Sequence, residues 1–381
     1  MSARAIYCDY NAGAPIRAEA AVAMSRALSV GGNASSVHGF GRRARALLED
    51  AREKLAERLD ARAENLVFTS GASEALHLAL TSTGATTLIV SAVEHDGVYQ
   101  HAIRLGAQQA PVNAAGILDR DALASMLAAA PKPALAAVQL ANNETGIIQP
   151  VAKVAALCRE HGALLLVDAA QAFGRIPVSI ADLDASYLVV SSHKLGGPPG
   201  AGALVLAPGA PFASTRFGGG QERGRRPGTE NMPAIVGFAV AVEWAVRDME
   251  REGVRLAAMR DRFEAGLPEG AVVFGSLSVG GDAGGPRLPN TSNFALPGLS
   301  AETAVIAMDL EGLAISSGAA CSSGKVKSSR VLAAMGVTPE LARCALRVSF
   351  GTESKEGDVD AALAALTKLA ARRRVRGGAL A

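Results

Sequence analysis

The sequence predicts an α/β fold with two domains: a larger one with a mostly parallel, seven-stranded type of sheet flanked by helices, and a smaller α+β domain. Apolar, strand-like runs alternate with segments of helical periodicity through the first two-thirds of the chain. That alternation is typical of a parallel sheet with crossover helices. With 381 residues, of which 49% are hydrophobic, the chain can also bury more than one core.

The elements of the large domain follow in order along the chain. Residues 41–59 place leucines and alanines on one helical face, and the turn at residues 70–74 is expected to begin a helix capped by a serine. The remaining expectations are strands at 66–68, 87–91, 134–140, 163–167 and 187–190, and helices at 121–130 and 151–161. Ligands bind such sheets at the carboxyl ends of the strands, so the residues that follow these strands are the first candidates for a site.

A long helical stretch from residue 231 to residue 267 is expected to connect the two domains. Beyond it, the pattern predicts short strands at 272–274, 291–296 and 347–350, a helix at 301–311 and a final helix. We expect the large domain at residues 12–255, and the small domain at residues 1–11 together with 256–381.

Composition excludes several classes of protein. The 38 basic and 36 acidic residues leave a net charge of +2, so neither a nucleic acid nor a membrane surface is an expected partner. The four cysteines form no CxxC pair and have no metal-ligand spacing. No secretory signal opens the sequence. We therefore expect a cytoplasmic protein with reduced thiols and no metal site.

Two residues that follow apolar runs suggest the chemistry. Asp168 follows the run 163–167, and Lys194 ends the tetrapeptide Ser-Ser-His-Lys after the run 187–190. Taken alone, the aspartate reads equally well as a helix cap. At one sheet edge, however, a carboxylate and a lysine are the pair that pyridoxal phosphate (PLP) requires. The lysine forms a Schiff base, and the carboxylate keeps the pyridine nitrogen protonated.

Other polar residues are expected at the same edge. The Ser-Gly-Ala-Ser turn at 70–73 offers the N–H groups of a helix start to a phosphate, to which Ser191 and His193 can also donate. His95 is expected at the end of a strand, where its ring can stack on a pyridine and transfer protons near neutral pH. Arg347, within a strand pattern, suits the carboxylate of an amino acid. A plain capped helix start is the alternative for the turn, and a surface residue the alternative for the histidine.

Cys321 differs from the other cysteines in its surroundings. It lies in the small-residue run 316–324, whereas Cys158 and Cys344 lie in apolar, periodic runs. The nearby Lys325 favours its thiolate form. On these residues alone, a reactive thiol and an exposed cysteine without function both stay open.

Taken together, these motifs resemble those of the cysteine desulfurases, which are PLP-dependent enzymes of fold type I in the class-V aminotransferase superfamily. The resemblance covers nearly the whole chain. The matching motifs are residues 7–12, 33–38, 69–74, 94–95, 142–146 with 149–150, 168–171, 191–194, 218–222 with 228–229, 317–321 and 347–349.

The resemblance implies roles for the matching residues. Lys194, Cys321 and His95 are implied to be catalytic, with the cysteine accepting sulfur from L-cysteine and L-alanine as the other product. PLP is implied to be bound by Ala72, Ser73, His95, Asn143, Asp168, Gln171, Ser191, His193, Lys194 and Thr229, the last from the second subunit of a homodimer. The substrate is implied to be bound by Asn33, Asn143 and Arg347.

The resemblance leaves two questions open. The alternative activity is that of a related class-V PLP enzyme, such as a selenocysteine lyase or an aminotransferase. The protein that receives the sulfur is implied to be an iron–sulfur scaffold or another sulfur carrier, and the sequence does not choose between them.

Overall fold

The structure of the protein is a computed structural model that describes residues 5–275, 285–318 and 329–378, with only the backbone of residues 372–378. Cys321 lies in the segment 319–328, outside the described residues. In chain order the elements are β1 (Ile6–Tyr7), α1 (Ala18–Leu28), α2 (Gly39–Glu57), β2 (Leu66–Thr69), α3 (Ala72–Ser82), β3 (Thr87–Ser91), α4 (Asp96–Arg104), β4 (Gln108–Ala110), α5 (Arg120–Ala129), β5 (Ala134–Gln139), α6 (Val151–Glu160), β6 (Leu164–Asp168), β7 (Tyr187–Ser191), β8 (Gly202–Leu206), α7 (Met232–Ala265), β9 (Val272–Val273), β10 (Thr291–Ala295), α8 (Ala301–Leu310), β11 (Leu313–Ala314), β12 (Ser316–Ser317), α9 (Arg330–Ala334), α10 (Pro339–Ala342), β13 (Ala345–Ser349) and α11 (Glu356–Gly378).

The main sheet has seven strands in the order β2-β8-β7-β6-β5-β3-β4. Strand β8 runs antiparallel to both of its neighbours, and every other adjacent pair is parallel. Strands β5, β7 and β8 are buried along their whole length, as is typical of a sheet that helices cover on both faces. The predicted fold class is confirmed.

The predicted strands and helices of the large domain lie within about two residues of the observed ones. Four elements were not predicted, namely α1, α4, β4 and the antiparallel strand β8. Strand β8 shows why glycine is required at its first position. A Cβ atom on Gly202 would lie 2.7 Å from the backbone of Gly71, so glycine allows β8 to pass close to the turn that precedes α3.

Two smaller sheets stand apart from the main one. One has the order β12-β13-β10-β9, with antiparallel neighbours, and the other pairs β1 with β11 in parallel. Helix α7 packs on both parts of the molecule, because Phe238 lies in the core of the main sheet and Phe263 in the core beneath the smaller sheets. The expected boundary at residue 255 falls inside this continuous helix, and the division into domains stays a prediction.

None of the helices in the described part of the chain is both long enough and apolar enough to span a membrane.

Candidate functional site

One cavity of about 500 Å³ collects most of the predicted site residues. Strands β5, β6 and β7 end at this cavity with Gln139, Asp168 and Ser191, because parallel strands present their carboxyl ends at one edge. The predicted residues that line it are Ala72, Ser73, His95, Asn143, Asp168, Gln171, Ser191, His193, Lys194 and Arg347. Asn33 and Thr229 are exposed and do not line the cavity of the single chain, and their roles stay predictions.

Lys194 occupies a short 3₁₀ turn, Ser192–Lys194, that directly follows β7. Its Nζ donates hydrogen bonds to the carbonyl oxygens of Asn11, at 2.7 Å, and Ala12, at 2.9 Å. Both acceptors belong to the N-terminal segment, which crosses this end of the main sheet. The amine is therefore held at the cavity wall by two neutral carbonyls.

Asp168 is the last residue of β6, and its carboxyl group is buried. Its Oδ1 accepts a hydrogen bond from the backbone N–H of Ala170 at 2.9 Å. Burial raises the pKa of Asp168, and this N–H and the charges of His95 and Lys194 offset the shift only in part. A cation bound in the cavity would stabilise the ionised carboxylate further.

Helix α3 begins at the cavity without the serine cap that the sequence predicts. Gly71 is the N-cap residue, with φ of 151°, and among the described residues no side chain caps α3. The N–H of Ser70 instead donates to the Glu74 carboxylate. The uncapped N–H groups of the first turn, next to cavity-lining Ala72 and Ser73, are the groups that bind a phosphate at a helix N-terminus.

His193 and Ser191 share a hydrogen bond on the side of the cavity formed by β7. His193 Nδ1 lies 3.0 Å from Ser191 Oγ, which leaves the other ring nitrogen for a ligand. Burial lowers the pKa of His193 to about 4, and the neighbouring Lys194 and Arg175 charges lower it too. The ring is therefore neutral at pH 7 and contributes a hydrogen bond, not a charge.

His95 does not end a strand, as the sequence predicts, but forms the N-cap of α4 four residues after β3 ends. Its Nδ1 accepts a hydrogen bond from the N–H of Gly97 at 3.0 Å, so the proton of the neutral ring is on Nε2. Burial lowers the pKa of His95 despite the nearby Asp168 carboxylate. At neutral pH, this ring is neutral and can donate a hydrogen bond through Nε2 at the cavity wall.

Arg347 lies in the middle of β13 and is 1% exposed. Its Nη2 donates to Asp9 Oδ1 at 2.7 Å, and its Nη1 donates to the Asn143 carbonyl at 2.9 Å. Its Nε has no hydrogen-bond partner among the described residues. A buried guanidinium that lines a cavity and has one nitrogen, Nε, without a partner in the described part of the chain is suited to a carboxylate ligand.

Gln171 belongs to the floor of the cavity. Its Nε2 donates to the Asn11 carbonyl at 2.9 Å, the same oxygen that Lys194 contacts, and its Oε1 accepts from Arg175. The Asn11 carbonyl thus accepts hydrogen bonds from both Lys194 and Gln171, which follows β6 by three residues.

Sequence reasoning missed several residues of the site. Asn11 and Ala12 hold the lysine amine, Asp9 holds Arg347, and Gln139 ends β5 opposite Asp168 in the strand register. Gln139 had a readable signal, since it is a polar residue at the end of an apolar run. Asp9, Asn11 and Ala12 lie in the N-terminal motif at residues 7–12, which matches the family, but the sequence of this motif does not show which residues it contacts.

These groups fit a pyridoxal phosphate. A buried carboxylate, a lysine amine, an uncapped helix start and a neutral histidine ring line one cavity, and PLP has a pyridine nitrogen, an aldehyde, a phosphate and a flat ring to meet them. With the seven-stranded, mostly parallel sheet, they define a PLP enzyme of fold type I.

Comparisons with known proteins agree with this class. The family model of the class-V aminotransferases matches residues 6–362. A cysteine desulfurase of Gluconacetobacter diazotrophicus is 40% identical over 372 residues, covering 94% of this chain and 92% of that protein. A NifS-like protein of Rickettsia africae superposes with a TM-score of 0.88 at 28% identity, over 96% of this chain and 99% of its own.

A second similar structure is SspA in complex with cysteine, with a TM-score of 0.76 at 27% identity, covering 91% of this chain and 98% of that one. The chain therefore belongs to the class-V aminotransferase family, and within it to the NifS-like cysteine desulfurases. Members of this family depend on PLP.

Proposed function

We propose that the protein is a cysteine desulfurase in which L-cysteine binds beside Lys194 and Asp168 and passes its sulfur to Cys321, releasing L-alanine. The observation that carries the proposal is that one cavity contains both residues of the PLP pair together with a buried arginine, Arg347, for the substrate carboxylate. The relatives named cysteine desulfurase and the SspA complex with cysteine support the choice of substrate.

Bound PLP supplies an electron sink next to the α-carbon of the substrate. Asp168 would pair with its pyridine nitrogen, Gln171 would lie near its ring hydroxyl, His95 would face its ring, and Lys194 would link it covalently to the chain. Its phosphate would be held by Ala72, Ser73, Ser191 and His193.

The substrate is oriented by Arg347 and Asn143. Arg347 binds the carboxylate while Asp9 and the Asn143 carbonyl fix two of its nitrogens, so that the guanidinium cannot swing away. Lys194 would act as the base that takes the α-proton, because its amine lies at the wall of the same cavity. The neutral His95 ring donates a hydrogen bond through Nε2, and the Lys194 amine, once it holds the α-proton, is the group that can return a proton to carbon.

Transfer of the substrate sulfur to Cys321 requires no outside oxidant. The Cys321 thiolate attacks the substrate sulfur, a bond forms between these two sulfur atoms, and the carbon–sulfur bond of the substrate breaks. The carbon keeps the electron pair and takes up a proton, which gives L-alanine. Cys321 retains the transferred sulfur as a persulfide, ready for a second thiol.

Chain length allows Cys321 to reach the cavity. Ser316 lines the cavity, and Cys321 follows it by five residues, a span of up to about 17 Å when extended. Mass spectrometry of the protein after incubation with L-cysteine tests the assignment. We expect the peptide that contains Cys321 to gain the mass of one sulfur atom and to lose it on treatment with a thiol.

Several finer features belong to the same proposal. A homodimer would bring Thr229, exposed in the single chain, to the cavity of the partner, and Asn33, also exposed, stays a proposed substrate-binding residue. A sulfur carrier or an iron–sulfur scaffold would remove the sulfur from Cys321. Three cysteines in the described part of this protein, Cys8, Cys158 and Cys344, are free thiols, which supports the proposal of a cytoplasmic location.

Replacing Arg347 with alanine tests how the substrate is held. Losing one partner of a buried charged pair costs roughly 2–5 kcal/mol, so we expect kcat/KM for L-cysteine to fall about 30-fold or more, mostly through KM. Lys at this position keeps the charge but not the fork, and should recover only part of the loss. Asp9→Asn is the matched control, because its amide oxygen can still accept the hydrogen bond from Arg347 Nη2 while only the carboxylate charge is lost, and we expect a smaller rise in KM. An unchanged KM in Arg347→Ala would contradict the assignment.

A further inference from the structure

Glu144 is a buried carboxylate that the proposed reaction does not use. It lies in the turn that follows β5, is 7% exposed and does not line the cavity. Its Oε2 accepts a hydrogen bond from the hydroxyl of Ser329. The same hydroxyl oxygen accepts the N–H of Leu332 at 3.0 Å and so caps α9. Ser329 thus caps the start of α9 and also donates a hydrogen bond to the buried Glu144 carboxylate.

The turn that carries Glu144 is held by its own hydrogen bonds and also contacts the substrate arginine. Asn142 Oδ1 accepts the N–H groups of Glu144, at 2.8 Å, and Thr145, at 2.9 Å. The Asn143 carbonyl accepts a hydrogen bond from Arg347. Two consecutive residues of one turn therefore make contact with Arg347 on one side and with Ser329 on the other.

Ser329 is the first described residue after the segment 319–328, which carries Cys321. The residue before that segment, Gly318, is also fixed, because its N–H donates to the carbonyl of Ala345 at 2.7 Å. Ala345 is on the same strand as Arg347. Both ends of the segment are thus tied to elements that hold the substrate arginine.

We propose that Glu144 is a positioning residue for sulfur transfer, whose carboxylate, through Ser329, holds the downstream end of the Cys321 segment in a fixed relation to Arg347. The inference rests on the proposed desulfurase function and adds a residue to it. Glu144 contacts neither substrate nor cofactor and acts only through Ser329.

The charge of Glu144 distinguishes this role from simple packing. Burial raises the pKa of Glu144 to about 7, while the Ser329 hydroxyl and the Arg347 and Arg330 charges lower it and the Asp96 charge raises it. Because the folded pKa lies above that of the unfolded chain, its contribution to stability is full at acidic pH and is lost as the pH rises through about 7. At high pH, the Glu144→Gln variant should therefore be more resistant to unfolding than the wild-type protein.

Four variants test the proposal in the cofactor-loaded protein. Glu144→Gln and Ser329→Ala each weaken the link, and we expect the rate of persulfide formation on Cys321 to fall about tenfold or more, because hydrogen bonds to charged groups are strong. Bound PLP and KM for L-cysteine should stay near the wild-type values. Ser329→Thr keeps the hydroxyl and should retain most of the rate.

Thr338→Ala is the matched control, because Thr338 caps α10 by the same geometry. It should lower the melting temperature, though less than Ser329→Ala, which also removes the hydrogen bond to Glu144, and leave persulfide formation within about twofold of wild type. If both cap variants lose persulfide formation equally, the effect of Ser329 is structural and the proposal is wrong.

The pH dependence gives a second readout. The ratio of the wild-type rate to the Glu144→Gln rate should increase from about pH 6 to about pH 8, since Glu144, with a pKa of about 7, titrates in only one of the two proteins and every other group is common to both. A ratio that is constant with pH would overturn the proposal. If the wild type forms the persulfide and Glu144→Gln and Ser329→Ala form it at the same rate, only the role of Glu144 is contradicted. If the wild type forms no persulfide, the desulfurase function itself is contradicted.

Discussion

Replacing Lys194 with alanine should lower alanine release from L-cysteine by about 10²–10⁴-fold, the usual contribution of a positioned acid–base group. The amine lies at the end of β7, and two carbonyls orient it into the cavity that Asp168 also lines. The variant also loses its covalent link to PLP, so its visible absorption should change and borohydride should no longer fix the cofactor to the chain.

Lys194→Arg is the matched control for that experiment. Arginine keeps a positive charge and donors for the carbonyls of Asn11 and Ala12, but its guanidinium does not lose a proton or form a Schiff base. We expect it to be as inactive as the alanine variant. An unchanged spectrum and unchanged turnover in either variant would exclude Lys194 as the PLP lysine.

Replacing Asp168 with asparagine should have the second largest effect. Asparagine can still accept the N–H of Ala170, so the end of β6 keeps its shape and only the charge is removed. Removing one partner of a buried ion pair costs roughly 3–5 kcal/mol, and we expect kcat to fall by about 150- to 5,000-fold with PLP still bound through Lys194.

The melting temperature of Asp168→Asn distinguishes a loss of catalysis from misfolding. Burial raises the pKa of Asp168 above its unfolded value, so the ionised carboxylate destabilises the cofactor-free fold as the pH rises through the folded pKa. Asp168→Asn without PLP should therefore melt at or above the wild-type temperature at pH 8. Full activity in this variant would contradict the pairing of Asp168 with the pyridine nitrogen.

The sequence predicted the parts of the site that depend on local pattern. A polar residue at the end of an apolar strand has a clear signature, and Asp168 and Lys194 both carry it. The serine cap of α3 and the strand end at His95 were wrong, because a local pattern does not say which residue of a turn enters the helix.

The contacts that the sequence could not predict join distant residues. Asp9 and Arg347 are 338 residues apart in the chain, and Glu144 and Ser329 are 185 apart. Neither pair has a periodicity or spacing that links its members. Strand β8 was missed for a related reason, since its antiparallel return after β7 interrupts the alternation on which the parallel sheet was predicted.

The measurement that tests the central claim most directly is alanine release from L-cysteine by the PLP-loaded wild-type protein and by its Cys321→Ala variant, without an added thiol. The account predicts alanine from the wild type in an amount that matches the persulfide on Cys321, and none above background from the variant, which still binds PLP. Equal alanine from both proteins would contradict the role of Cys321, and no alanine from either, with PLP bound, would contradict the desulfurase function.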